Sequence, residues 1–133
     1  MEYDVNAIYS DLANQHQHIR NLLRDLKECD HIHLVPMLEE LNTVLVDHFG
    51  REMRPGGFYE AIGAKAQEHR DEVRLLERDH ILLQSSFRGL LARAKLASDA
   101  SEPELLREVG EVAECLYDHE RRENQLVEAL FRK

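Results

Sequence analysis

The chain has 133 residues, of which 32% are charged and 43% hydrophobic, and its formal net charge is −9. This composition excludes a disordered chain and is typical of a soluble globular protein, so we expect one domain spanning residues 1–133. The acidic balance argues against nucleic-acid binding, and no apolar run reaches the ~20 residues of a membrane span.

The hydrophobic pattern predicts four amphipathic α-helices and no strand. Each helix carries an apolar stripe, and the helices span about residues 4–28, 33–54, 67–97 and 102–131. Because the connections near residues 31 and 99 are short, consecutive helices should run antiparallel. The predicted fold class is therefore all-α, an antiparallel up-down-up-down four-helix bundle.

Local signals agree with these boundaries. Pro36 can occupy the first turn of the second helix, and Ser101 with Glu104 forms a capping box at the start of the fourth. Pro55-Gly56-Gly57 ends the second helix, and Phe58–Ile62 should form a short extra helical turn. The break either terminates the helix or also frames an access route for a small ligand, and the sequence does not decide between the two.

Six polar residues interrupt the apolar stripes, namely His16, His48, Glu52, His80, His119 and Glu123. Each alone could be an ordinary hydrogen-bonded core residue. At ~1.5 Å of rise per residue, however, the four histidines fall in one layer of the bundle, with the glutamates one turn to the side. Burying these groups together without compensation would cost several kcal/mol per charge, and a pair of metal ions removes that cost.

The spacing within two helices also indicates metal ligands. Glu52 follows His48 by four residues, and Glu123 follows His119 by four, so both members of each pair project from one helix face. The simplest arrangement gives each of two metals two histidines and lets both carboxylates be shared. Nitrogen and oxygen ligands without cysteine suit iron or manganese, with zinc as a further alternative. This set leaves coordination positions for water, oxide or a small diatomic ligand.

Four segments resemble the blocks of the hemerythrin-like, or HHE cation-binding, domain family. They are HQHIRNLL, DHFGRE followed by RPGGFYEAI, ERDHILL and DHERRE. The resemblance implies a non-haem di-iron centre in a four-helix bundle, with an oxo or hydroxo bridge between two iron ions (Fe²⁺/Fe³⁺). It also implies that Glu52 and Glu123 are bridging carboxylates and that the terminal ligands are His16, His48, His80 and His119.

Two positions differ from the oxygen-carrying hemerythrins. Those proteins supply two histidines from the third helix, whereas this chain has Leu76 four residues before His80. They also place an aspartate five residues after the last histidine, where this chain has Asn124, with Glu123 at the preceding position. The set of four histidines and two glutamates is similar instead to bacterial relatives linked to nitric oxide, peroxide and iron–sulfur stress.

The expected function is therefore that of a di-iron protein that binds or reduces a small oxidant, namely dioxygen, nitric oxide or peroxide, in oxidative or nitrosative stress or in iron handling. Two alternatives stay open. One is a non-catalytic metal-binding module for sensing or iron storage, and the other is a metal-free helical interaction protein. Enzymatic turnover, as in a di-iron oxidoreductase, is not decided by the sequence, and no protein partner is indicated.

The sequence also suggests positions for several residues outside the set of six. Tyr9, seven residues before His16, could donate a hydrogen bond above the site or pack in the core, and Gln84 and Tyr117 are weaker candidates for outer contacts. Residues 120–122 should form a solvated face beside an inward Glu123. Surface positions are expected for His18, His31, His33 and His69.

The cysteines and the chain start bear on the compartment. Cys29 and Cys115 lack CxxC spacing, so reduced thiols are expected, and Cys115 should contribute to packing. The first residues lack the basic and apolar regions of a signal peptide. These features together predict a cytoplasmic location.

Overall fold

A helical arrangement accounts for all regular structure in the described part of the chain. The computed structural model describes residues 5–29, 32–55, 57–63, 67–96 and 103–131. The elements are α1 (Val5–Glu28), α2 (Leu34–Met53), the short α3 (Phe58–Gly63), a 3₁₀ turn (Gln67–His69), α4 (Arg70–Leu96) and α5 (Pro103–Phe131). The predictions of an all-α protein, of four long helices and of a short extra helix are confirmed.

The four long helices pack against each other around a shared interior. α1 contacts α2 and α5, while α4 contacts α2 and α5, and α3 lies against α1, α2 and α4. Every long helix therefore has two long neighbours. Side chains that project inward from all four can meet in one layer.

The break after α2 directs α3 back towards the bundle. Arg54 takes an extended backbone conformation, and its N–H donates to the Gly50 carbonyl. Gly57 then donates to the Arg54 carbonyl at 2.9 Å. A Cβ atom at position 57 would lie 2.3 Å from the Arg51 carbonyl oxygen, so this close approach requires glycine. Of the capping box predicted for the last helix, Ser101 lies outside the described residues.

Two apolar clusters fill the interior, and the polar layer lies between them along α1, α4 and α5. The larger cluster includes Ile19 and Leu23 of α1, Leu45 of α2, Phe87 of α4 and Leu116 of α5. The smaller one is formed by Leu12, Phe58, Tyr59, Ile62, Leu76, Leu126 and Val127. Burial of this apolar surface stabilises the fold on both sides of the polar residues.

The packing prediction for Cys115 is wrong. Cys115 is exposed, because it precedes the buried Leu116 and therefore points about 100° away from it around α5. Cys29 is half-buried and packs against the larger cluster. None of the described helices combines the length and apolarity that crossing a membrane requires.

Candidate metal centre

All six residues predicted as ligands are buried in the same layer. Each of these six residues is at most 4% exposed. They form two overlapping groups, in each of which the candidate ligand atoms lie within 4.8 Å of one another. The first group contains His16 and His48, the second contains His80 and His119, and Glu52 and Glu123 belong to both. The structure thus brings together every residue of the predicted set, while their binding of metal stays a prediction.

Each of the two carboxylates lies close to one histidine of the first group and one histidine of the second. Glu52 Oε1 lies 3.0 Å from Nε2 of His48 and 3.4 Å from Nε2 of His80. Glu123 Oε1 lies 3.1 Å from Nε2 of His16 and 3.5 Å from Nε2 of His119. A carboxylate placed in this way can offer oxygen to both groups at once, which is the position a bridging ligand requires.

Three of the histidines use their outer nitrogen for a hydrogen bond that the sequence analysis missed. His48 Nδ1–H donates to Gln15 Oε1 at 2.6 Å, and His16 Nδ1–H donates to Asn124 Oδ1 at 3.1 Å. His119 Nδ1–H donates to Asp79 Oδ2 at 3.3 Å. A proton held on Nδ1 leaves Nε2 with its lone pair, and this orientation is typical of histidines that bind metals.

The inward-facing atoms fit a cation. With Nδ1 protonated, Nε2 lone pairs face carboxylate oxygens, so two acceptors oppose each other unless a proton or a metal ion lies between them. The described residues provide no hydrogen-bond partner for Nε2 of His48, for Nε2 of His119 or for either oxygen of Glu52. Buried polar atoms without partners are rare and costly, and divalent or trivalent ions would satisfy these.

Burial changes the acid–base properties of two histidines and of the glutamates in the site. Burial lowers the pKa of His48 to about 3, and burial also lowers the pKa of His80. Burial and then the charge of Glu123 raise the pKa of Glu52 well above its usual range. Burial alone would raise the pKa of Glu123, but the influence of Glu52 and the histidines beside it outweighs burial and holds that pKa well below the usual range. The imidazoles of His48 and His80 therefore stay neutral and able to coordinate at neutral pH.

Tyr59 is an unpredicted residue of the site. Its hydroxyl donates to Glu123 Oε2 at 2.5 Å and lies 3.0 Å from His80 Nε2. Burial, followed by the charges of Glu123 and Glu52, raises the pKa of Tyr59 well above its ordinary value. Tyr9, which was considered for such a role, is 42% exposed, so both interpretations given to it are wrong.

Glu120 is a second unpredicted residue, and the solvated face assigned to it is wrong. It is 2% exposed, and its Oε2 lies 3.6 Å from His16 Nε2. Burial raises the pKa of Glu120 to about 8. The carboxylate is buried because α5 packs against two helices, so that His119 faces Asp79 of α4 while Glu120 faces α1.

The other residues interpreted from the sequence differ in their exposure. Tyr117 is half-buried against the larger apolar cluster, with Lys27 Nζ 5.0 Å from its ring centroid, and Gln84 is half-buried. His18 and His33 are exposed, as predicted. His69 is half-buried with Nδ1 3.3 Å from Glu72, and His31 lies outside the described residues.

Two surface cavities reach the layer from the side of α1 and α2. One of about 220 Å³ is lined by Leu12, Gln15, Glu52, Gly57 and Phe58, among others. The other, of about 600 Å³, includes Gln15 and His48 in its wall. Residues of the predicted helix break therefore border a space that ends at a candidate bridging carboxylate, which favours the access-route interpretation over a plain terminator.

Comparison of the chain with protein-family models, with curated proteins and with solved structures finds no match. The resemblance to hemerythrin-like domains therefore rests on the four sequence segments alone. The geometry of the buried histidines and glutamates is independent of that resemblance. It supports a helical protein with a buried group of side chains able to hold metal.

Proposed function

We propose that this is a hemerythrin-like, non-haem di-iron protein that binds or reduces a small oxidant, namely dioxygen, nitric oxide or peroxide. The observation that carries the proposal is the sharing of Glu52 and Glu123 between two groups of histidines. A single ion would need one such group, whereas two overlapping groups with common carboxylates suit a pair of ions. Histidine and carboxylate donors without cysteine suit iron, and the sequence resemblance favours iron over manganese or zinc.

The proposal includes the antiparallel up-down-up-down arrangement. Side-chain contacts support it, because residue numbers rise along one helix as they fall along its neighbour. The contacting pairs are Asp11–Arg51 and Gln15–His48, Asn42–Phe87 and Glu52–His80, Asp79–His119 and Arg93–Glu108, and His16–Asn124 and Lys27–Glu114.

The residues would divide the work of holding iron. His16 and His48 would hold one ion, His80 and His119 the other, and Glu52 with Glu123 would bridge them. Bound iron would supply one-electron chemistry and coordination positions for a small ligand. The chain fixes the imidazoles of His16, His48 and His119 through their Nδ1 hydrogen bonds and keeps bulk water away with the apolar clusters on both sides.

A small ligand would reach the layer beside Glu52. The cavity of about 220 Å³ ends at Glu52, and its wall includes Arg51 and Arg54. A space of this size admits a diatomic molecule or peroxide.

The test combines metal content with reactivity. Protein loaded anaerobically with ferrous iron is mixed separately with dioxygen, nitric oxide and peroxide, and its near-ultraviolet and visible absorption is followed. A spectral change with at least one oxidant is expected, and His69→Ala should behave like wild type. A chain that carries two irons but stays inert to all three would contradict the redox function and favour a non-catalytic sensing or storage module.

A further inference from the structure

Tyr59 approaches the candidate metal centre from an element that supplies none of the six predicted ligands. It lies on α3, which the Gly57 turn holds against α1, α2 and α4. Tyr59 is 6% exposed, and its hydroxyl oxygen is 3.0 Å from His80 Nε2. The same nitrogen is 3.8 Å from Glu123 Oε2. A phenol oxygen, an imidazole nitrogen and a carboxylate oxygen thus converge on one side of the layer.

The spacing of these atoms is that of neighbouring ligands on one ion. Two donor atoms that are each about 2.1 Å from a metal and subtend a right angle there are about 3.0 Å apart. The Tyr59–His80 contact, at 3.0 Å, has this length. The phenol oxygen therefore occupies the place of a further ligand to an ion held by His80.

A hydrogen bond cannot account for this contact once His80 binds metal. Its Nε2 would then use its lone pair for the metal and carry no hydrogen, so it could neither donate to nor accept from the phenol. The lone pairs of the Tyr59 oxygen and of His80 Nε2, whose atoms are 3.0 Å apart, repel each other unless one cation attracts both. Binding of the phenol oxygen to the same ion removes that repulsion.

We propose that Tyr59 is a seventh protein ligand, a phenolate bound to the ion held by His80 and His119. This inference rests on the proposed function. As the oxygen–metal bond forms, the phenolic proton leaves to solvent, and no electron is transferred. The two ions then differ, because the phenolate takes up a position on one of them. The ion held by His16 and His48 would then keep more positions for a small ligand, and His48 lines a cavity.

Visible spectroscopy of the ferric protein tests the proposal. Wild type and Tyr59→Phe are loaded with iron in air, and iron per chain, visible absorption and resonance Raman spectra are measured. Wild type should show a phenolate-to-iron(III) charge-transfer band with the ring vibrations of bound tyrosinate. Tyr59→Phe should keep two irons and lose both signals. Tyr117→Phe and Tyr9→Phe should retain them, since Tyr117 packs in the larger apolar cluster and Tyr9 is exposed.

The outcomes separate this inference from the function on which it rests. Wild type with two irons but no tyrosinate signals, or signals that persist in Tyr59→Phe, would overturn the ligand role and leave the di-iron function standing. No iron uptake by wild type would overturn both. If Tyr59→Phe fails to load iron, tyrosinate signals in wild type that survive in Tyr3→Phe, Tyr9→Phe and Tyr117→Phe still support Tyr59, because the chain has four tyrosines. Loss of the signals in any of these three controls overturns the ligand role.

Discussion

Glu52 and Glu123 come from different helices, α2 and α5, yet each lies within 3.5 Å of one histidine from both candidate ligand groups. Each carboxylate is therefore in a position to serve two ions. Loss of either one should affect the whole centre, whereas loss of a terminal histidine removes one donor from one group. This relationship gives the metal proposal its sharpest mutational consequence.

Removal of a shared carboxylate should reduce the metal content of the chain. Glu52→Ala and Glu123→Ala are expected to lower it from two ions to one or none, measured by elemental analysis after iron reconstitution. Glu→Gln keeps the shape but removes the charge that offsets the metals, so these variants should also lose metal. Glu128→Ala is the matched control, because Glu128 is exposed on the same helix as Glu123. A Glu123→Ala protein with two ions would contradict the shared role.

Metal removal should destabilise the fold. Without ions, the buried oxygens of Glu52 and the inward nitrogens of His48 and His119 lack partners among the described residues. Ligand binding at ~100-fold above its Kd contributes about 2.7 kcal/mol, which corresponds to a rise in Tm of roughly 5 °C or more. Scanning calorimetry of metal-loaded and chelator-treated protein measures the difference. Equal melting temperatures after verified metal removal would argue against a buried site.

The buried carboxyl of Glu120 should make the metal-free protein less stable at high pH. Its pKa is raised to about 8 from 4.5, so between these values the folded state holds a proton that the unfolded state has released. Stability due to this group is present below pH 4.5 and is lost as the pH rises through 8. Glu120→Gln removes this ionisation. The free energy of unfolding of the variant minus that of wild type should therefore be larger at pH 8.5 than at pH 4.5, by on the order of a few kcal/mol.

Denaturant unfolding of chelator-treated wild type and Glu120→Gln at several pH values measures this effect. The exposed Glu128 offers a control, since Glu128→Gln should leave the pH profile unchanged. A stability difference between wild type and Glu120→Gln that does not vary with pH would show that Glu120 ionises normally in the folded state.

The hydrogen bond from His119 to Asp79 should strengthen metal binding. Asp79 Oδ2 accepts from His119 Nδ1 at 3.3 Å and also pairs with Arg122. Loss of such an outer carboxylate typically weakens metal affinity about 10–100-fold, because the imidazole loses its fixed orientation and part of its basicity. Asp79→Ala should show this loss in a competition titration against a chelator, while Asp71→Ala, at an exposed position of the same helix, should not. Equal affinities would remove Asp79 from the site.

The sequence could indicate the four helices and the grouping of the six polar residues because both follow from helical periodicity. Polar side chains on apolar stripes are conspicuous, and a constant rise per residue fixes their heights. The same reasoning gives the wrong direction for the Tyr9 side chain, which is exposed. A seven-residue step is about 20° short of two full turns, and the neighbouring Ile8 and Leu12 occupy the inner positions instead.

Tyr59 and Glu120 could not be placed by periodicity. Tyr59 lies on α3, and its direction is set by the Gly57 turn and by packing against three helices, neither of which follows from local sequence. A single apolar stripe on the last helix predicts a solvent-facing Glu120. α5 has neighbours on two sides, so its buried face is wider than one stripe. The hydrogen-bonding residues Gln15, Asp79 and Asn124 flank the stripes for the same reason.

The number of ions bound per chain tests the central claim most directly. Metal-free protein titrated anaerobically with ferrous iron, with bound iron counted by elemental analysis after removal of the excess, should saturate at two ions per chain. The Glu123→Ala variant should saturate at one or none under the same conditions. Saturation of wild type at two would support a dinuclear centre built on Glu52 and Glu123. Uptake of no more than trace iron, by protein shown to be folded and helical, would contradict the account.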